Sequence, residues 1–195
     1  MTRYPQFFCA FAVVAFLVCL SCLPGVAIAA PELPGGPVPV SEAAANALDE
    51  KIIAAYRAAD AAPDGSFTLT VTDEEATSWF VYRVATEPEN NIADPQIRFV
   101  AGKIHSAVTM VGVLPFELRI KLVALFRVLD GKVSFEIEST SAGFLPIPKQ
   151  IMDLLPQSDM ANDILSEAGV QLTNIAITTG QMTIQGHLID GFLGD

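Results

Sequence analysis

Two histidines, His105 and His187, and no cysteine are what the chain beyond residue 29 offers for imidazole- or thiol-based chemistry. A hydrolytic triad would have to recruit one of these imidazoles as its base. Both fall on predicted strands near turns, where a solvated or hydrogen-bonded histidine is the ordinary outcome. Glu136 and Glu138 resemble a general acid–base pair, but two residues apart on a strand they point to one solvated side. The stretch from Thr86 to Pro95 carries Glu87, Glu89 and Asp94, without the alternating D-x-D-x-D-G order of a calcium loop. No H-E-x-x-H, G-x-S-x-G, P-loop or dinucleotide fingerprint is present. The expectation is a protein that is not an enzyme and needs neither metal nor cofactor.

The elements that hold these residues are legible from periodicity. Ser41 opens a helical stretch to about Ala59, with Leu48, Ile52, Ile53 and Tyr56 on one face. Pro63-Asp64-Gly65 makes a turn into a strand in which Phe67, Leu69 and Val71 alternate with polar residues. Thr72 and Glu75 form a capping box ahead of Ala76, Trp79, Phe80 and Val84, an apolar helical stripe. The stretch from Thr86 to Pro95 reads as a surface loop. From Gln96 the period changes to two. Ile97 and Phe99 lead to the Ala101-Gly102 turn, and Ile104, Ser106, Val108 and Met110 run out from it.

A long strand follows, with Phe116, Leu118, Ile120, Leu122, Ala124, Phe126 and Val128 on one parity. The Asp130-Gly131 turn then sends Val133, Phe135 and Ile137 back beside it. A helix from about Pro148 to Ala168, broken at Pro156, precedes a last hairpin with a bulge between Leu172 and Ile175. "AGKIHSAV", "DGKVSFEI" and "TGQMTIQG" are three versions of one hairpin device.

Residues 1–29 read as a signal peptide or N-terminal membrane anchor, with an apolar run from Phe7 to Leu20 and a small-residue cleavage site at Ala27-Ile28-Ala29. Cleavage, acylation at Cys22 and retention as an anchor are the three fates open to it. All three cysteines lie in this leader, so the exported domain would hold no disulfide. Residues 30–40 form a Pro/Gly-rich linker, and residues 41–195 have the length of one domain. Removing Arg3 with the leader leaves 22 acidic against 10 basic residues, a formal charge of -12. That balance argues against a nucleic-acid partner. The localisation expected is extracytoplasmic: secreted, periplasmic or anchored facing outward.

The apolar parity of the long strand and its neighbours either closes into a core or encloses something apolar. Arg98, Lys103, Arg119, Lys121, Arg127 and Lys132 cluster on the hairpins, as the polar outer face of such a sheet or as a patch for lipid headgroups.

The order "FTLTVTDEEATSWFVYRV", "DPQIRFVAGKIHSAV", "DGKVSFEIESTSAGFLPIPKQIMDLL" and "GVQLTNIAITTGQMTIQG" resembles the YpmS-like exported or membrane-anchored bacterial proteins. It is more loosely similar to single modules of the tubular lipid-binding (TULIP-like) superfamily. The resemblance runs from about Ser66 to Gly186. It implies an α+β fold in which a long, curved antiparallel β-sheet wraps around helices in a single domain, with an apolar groove for lipid. Strand parity then places Leu118, Ile120, Leu122, Phe126, Phe135 and Ile137 along that groove, with Trp79 and Phe80. The function expected is binding or transfer of lipid or another apolar ligand, with at least transient membrane contact. The alternative is an envelope scaffold with the same fold and a filled core.

Overall fold

The computed structural model describes residues 33–85, 92–111, 117–142, 145–146 and 158–189. Its first helix, α1 (Glu42–Ala61), starts where the Ser41 hydroxyl accepts the Ala44 N–H at 3.2 Å, satisfying a donor that has no partner within the helix. Ala45, Leu48, Ile52, Ala55 and Ala59 are its buried face, one stripe at three- and four-residue spacing. Strand β1 (Ser66–Thr72) follows.

Helix α2 (Asp73–Trp79) begins at the predicted capping box. The Glu75 N–H donates to Thr72 Oγ1 at 3.2 Å, and the Thr72 N–H donates to Glu75 Oε2 at 2.9 Å. The helix then widens into a π-helical turn, Phe80–Val84, closed by the Ala85 N–H on the Phe80 carbonyl at 2.9 Å.

The remaining elements are β2 (Ile92–Val100), β3 (Lys103–Met110), β4 (Leu118–Leu129), β5 (Lys132–Ala142), the short β6 (Leu145–Pro146), helix α3 (Ser158–Glu167), β7 (Val170–Thr178) and β8 (Gln181–Leu188). All pairings are antiparallel, as an α+β chain of hairpins requires. The strands divide into two sheets, of order β1-β8-β7 and β2-β3-β4-β5-β6.

The structure adjusts several boundaries. The end of the expected loop at Thr86–Pro95 is strand: β2 starts at Ile92 and accommodates Asp94 at φ 46° in a bulge before Gln96. The bulge between Leu172 and Ile175 is present as a register shift from Leu172 to Asn174. A further one, between Ile137 and Ser139 of β5, has no turn residue to announce it. Of the expected broken helix, Ser158–Glu167 is described and Pro148–Gln157 lies outside the described residues. Phe116 does too. The proline-rich stretch packs on the domain from Leu33: Leu33 and Val38 are buried, and the Val38 N–H donates to Gln96 Oε1 at 2.6 Å.

The repeated hairpin has a structural consequence. Ala101-Gly102 and Asp130-Gly131 each place both residues at positive φ, the type I′ geometry that matches strand twist. The Gly102 N–H donates to the Ile177 carbonyl at 3.1 Å, and the Gly180 N–H donates to the Phe99 carbonyl at 3.0 Å. The Asp130-Gly131 turn lies against the Gln171 side chain of β7. Thus β7, an edge strand of the small sheet, runs past the hairpin tips of the large one. At Gly186 an added Cβ would stand 2.6 Å from the Gln171 carbonyl oxygen and 2.9 Å from Cζ of Phe67, so only glycine lets that ring lie across the small sheet.

Candidate apolar binding face

Register assigns the inner face of the large sheet row by row. Ile97, Ser106, Leu122 and Thr140 form one row; Phe99, Ile104, Ala124 and Ile137 form the next. Val108, Ile120 and Ala142 share a row, and Phe126 faces Phe135. The bulge in β5 is what keeps Thr140 and Ala142 on this face, because the extra residue shifts the parity that Val133, Phe135 and Ile137 began. Phe126 and Phe135 stack with ring centroids 5.7 Å apart and planes 27° apart, a pairing worth about 1 kcal/mol beyond burial.

The expected lining residues fall into two groups. Ile120, Leu122 and Phe126 come together with Phe135 and Ile137 on β4 and β5. Leu118 is placed by its backbone, paired with Met110. Trp79 and Phe80 belong to the other end, where α2 and its π-helical continuation pack against α1 and β2. Trp79, Phe80, Ile120, Leu122 and Phe126 are all buried in one continuous core, whereas Phe135 and Ile137 are half-buried against it. The β4–β5 side is thus the part of the face where expected lining residues remain partly open.

The two ends also differ in how their strand edges are closed. On β2, Thr77 Oγ1 accepts the Ile97 N–H at 2.9 Å and donates to the Ile97 carbonyl at 3.0 Å. One helical turn earlier Asp73 Oδ1 accepts the Phe99 N–H at 2.7 Å. Spacing of i and i+4 puts both side chains on the helix face turned to the strand. Burial pushes the Asp73 carboxyl above its ordinary value, against the Phe99 N–H and the Arg98 guanidinium 3.3 Å away, which favour its charge. Burial also acts to raise Glu75, but the Lys51 ammonium at 2.7 Å and the Thr72 backbone bond outweigh it and hold that carboxyl low. Arg98 further donates to the Gly36 carbonyl at 3.0 Å, tying the proline-rich stretch to β2.

On β5 the Asn162 amide of α3 does the corresponding work. Its Oδ1 accepts the Val133 N–H at 2.7 Å, and its Nδ2 donates to the Val133 carbonyl at 2.8 Å. Among the described residues the Thr140 hydroxyl, in contrast, is buried with no hydrogen-bond partner, as is Nε of Arg98 on β2. Thr77, Asp73, Asn162 and Thr140 were not among the expected site residues. The capping box fixed where α2 starts and so held a signal for the first two; the others depend on tertiary register.

The groups that could do acid–base chemistry are dispersed. His105 sits on the outer face, its pKa lowered by burial and by Lys103 and Lys121, against Glu138. His187 hydrogen-bonds to Gln171 at 2.9 Å. Glu136 and Glu138 are exposed, and Glu138 pairs with Lys103 at 2.6 Å. Among the described residues, no three His, Cys, Asp or Glu side chains are grouped as metal ligands, and no helix is long and apolar enough to cross a membrane.

Comparison with known proteins adds no relative: no family model matches the chain, and no curated protein matches it.

Proposed function

We propose that this is a non-enzymatic, extracytoplasmic protein that binds or transfers a lipid or a similar apolar ligand, taken up against the β4–β5 side of the large sheet. The single observation that carries the reading is the state of that side. Phe135 and Ile137 stay half-buried beside the core, and the row they flank ends in a buried, unpartnered hydroxyl at Thr140. A self-sufficient core would ordinarily bury those side chains fully and pair that oxygen. The leader, and the resemblance to YpmS-like and tubular lipid-binding proteins, support the same reading and its corollary, transient contact with a membrane.

The experiment is detergent-free purification of the protein, followed by native and denaturing mass spectra and extraction of released small molecules. Stoichiometric lipid released on denaturation is the expected result. A clean apo mass, together with failure to take up a fluorescent acyl ester, overturns it.

A second reading is an envelope scaffold with a filled core. It is favoured by the burial of Trp79, Phe80, Ile120, Leu122 and Phe126 in one cluster. A scaffold of this fold would not recruit partners by strand pairing at Ile97, Phe99 or Val133, since side chains already occupy those backbone groups.

A further inference from the structure

We infer that the ligand carries a neutral carbonyl oxygen, as an ester or amide does, and that the Thr140 hydroxyl donates to it. This assignment rests on the lipid-binding reading and gives its ligand a chemical class.

Thr140 is 7% exposed, and among the described residues its hydroxyl oxygen has no partner. Its row holds Leu122 and, one strand further, the buried Ser106. A hydroxyl taken out of water without a partner is unfavourable, and an incoming acceptor removes that cost. The wholly hydrocarbon ligand that an apolar face would otherwise suit leaves the cost in place.

Charge narrows the class further. On β4 and β5 the inner-face neighbours of this row are Ala124 and Ile137 on one side and Ile120 and Ala142 on the other, and the flanking positions of β2 and β3 are likewise without a cation. The cations of these strands lie elsewhere: Arg98 is held by Asp73 and Gly36, and Lys103 by Glu138. Arg119, Lys121 and Arg127 have the opposite parity, paired with Thr109, Ala107 and Ser134, and Lys132 is exposed beside the Asp130-Gly131 turn. An ionised carboxylate at Thr140 would therefore be desolvated without a counter-charge, whereas a neutral carbonyl needs one donor. Free fatty acid is the poorer ligand and an acyl ester or amide the better one, with any charged headgroup outside the row.

The test is displacement of N-phenylnaphthylamine from the full chain by methyl laurate, laurate at neutral pH and dodecyl chloride, in wild type, Thr140→Val and Thr140→Ser. Wild type is expected to bind methyl laurate most tightly. Thr140→Val should weaken methyl laurate by about fivefold to tenfold, the factor that one net hydrogen bond commands. It should leave dodecyl chloride unchanged, and Thr140→Ser should restore the ester. Equal effects of Thr140→Val on ester and chloride, or laurate as the tightest ligand, overturn the assignment while leaving lipid binding intact. Failure of wild type to take up any probe removes the lipid-binding reading itself, and this assignment with it.

Discussion

Thr77 and Thr140 are both buried at the large sheet, 0% and 7% exposed, and their hydroxyls meet opposite fates. Thr77 bonds both the N–H and the carbonyl of Ile97, closing the β2 edge. Thr140 finds no partner among the described residues. Around Thr77 other polar side chains are bonded too: Asp73 caps Phe99, Trp79 Nε1 donates to Asp49 at 2.7 Å, and Arg83 bonds the same carboxylate at 2.8 Å. Around Thr140 the apolar residues Phe135 and Ile137 are half-buried. The α2 end is closed by its own chain except at Arg98 Nε, which is buried without a partner among the described residues although both terminal nitrogens of that guanidinium are bonded. The β4–β5 end leaves the whole polar group of Thr140 unpaired among the described residues, beside the half-buried Phe135 and Ile137, and a ligand acceptor would complete it.

If the α2 end is the more fully packed of the two, truncation there costs the more. Phe80 is fully buried where α2 meets the core, and Phe80→Ala should cost about 3–5 kcal/mol. Half-buried Phe135 should cost less on truncation, roughly 1–2 kcal/mol, because less surface leaves contact and solvent can enter the gap. Urea midpoints at unchanged m-value measure both. Equal losses would mean that the β4–β5 side is packed as fully as the α2 side.

Thr77→Val isolates the β2 edge. The substitution leaves the Ile97 N–H and carbonyl without their partner in a buried place, so a loss of about 2 kcal/mol is expected. Thr77→Ser, which keeps the oxygen, should recover most of it. Recovery by valine instead would show that water reaches this edge and that α2 does not seal it.

A smaller effect lies in the pH dependence at the start of α2. Glu75 is held below its ordinary 4.5, so its contribution is complete above that value and is lost as pH falls through the depressed one. Asp73 is raised above 3.8, so its contribution is present at low pH and is lost as pH rises through the raised value. Relative to wild type, Glu75→Gln should therefore lose about 1 kcal/mol near neutrality and nothing in acid, the scale of a helix cap. Asp73→Asn should gain on wild type as pH rises through the same range. Parallel stability profiles for the two variants between about pH 3 and pH 6 would refute the opposed signs.

The sequence carried the local devices and not their meetings. The Thr72–Glu75 capping box, the type I′ turns and the parity of β4 follow from a few adjacent residues each, and all are present. The division into two sheets does not follow from them. It depends on which strands pair across long separations, as β1 does with β8. Parity placed Leu122, Phe126, Phe135 and Ile137 on one face, whereas the helical stripe of Trp79 and Phe80 records which side of their helix is apolar and not which end of the sheet it covers. Thr140 was invisible for a sharper reason. Its inward direction is created by the β5 bulge, and Glu138-Ser139 contains neither the glycine nor the αL-prone residue that usually marks one.

The smallest predicted effect has the most informative sign. At Thr77 a valine removes a bonded oxygen; at Thr140 it removes an oxygen that bonds to nothing and puts a methyl in its place on an apolar face. Thr140→Val should therefore leave stability unchanged or raise it by up to about 1 kcal/mol, since the desolvation of an unpaired hydroxyl is relieved. Measured in the same urea series as Thr77→Val, the pair subtracts out whatever the bare change from threonine to valine does to the unfolded chain. A gain at Thr140 with a loss at Thr77 would identify the Thr140 hydroxyl as a group retained against the interest of folding, as ligand-contacting groups often are. A loss at both would mean that the Thr140 oxygen is bonded in the folded protein, and the reason for placing a ligand carbonyl there would be gone.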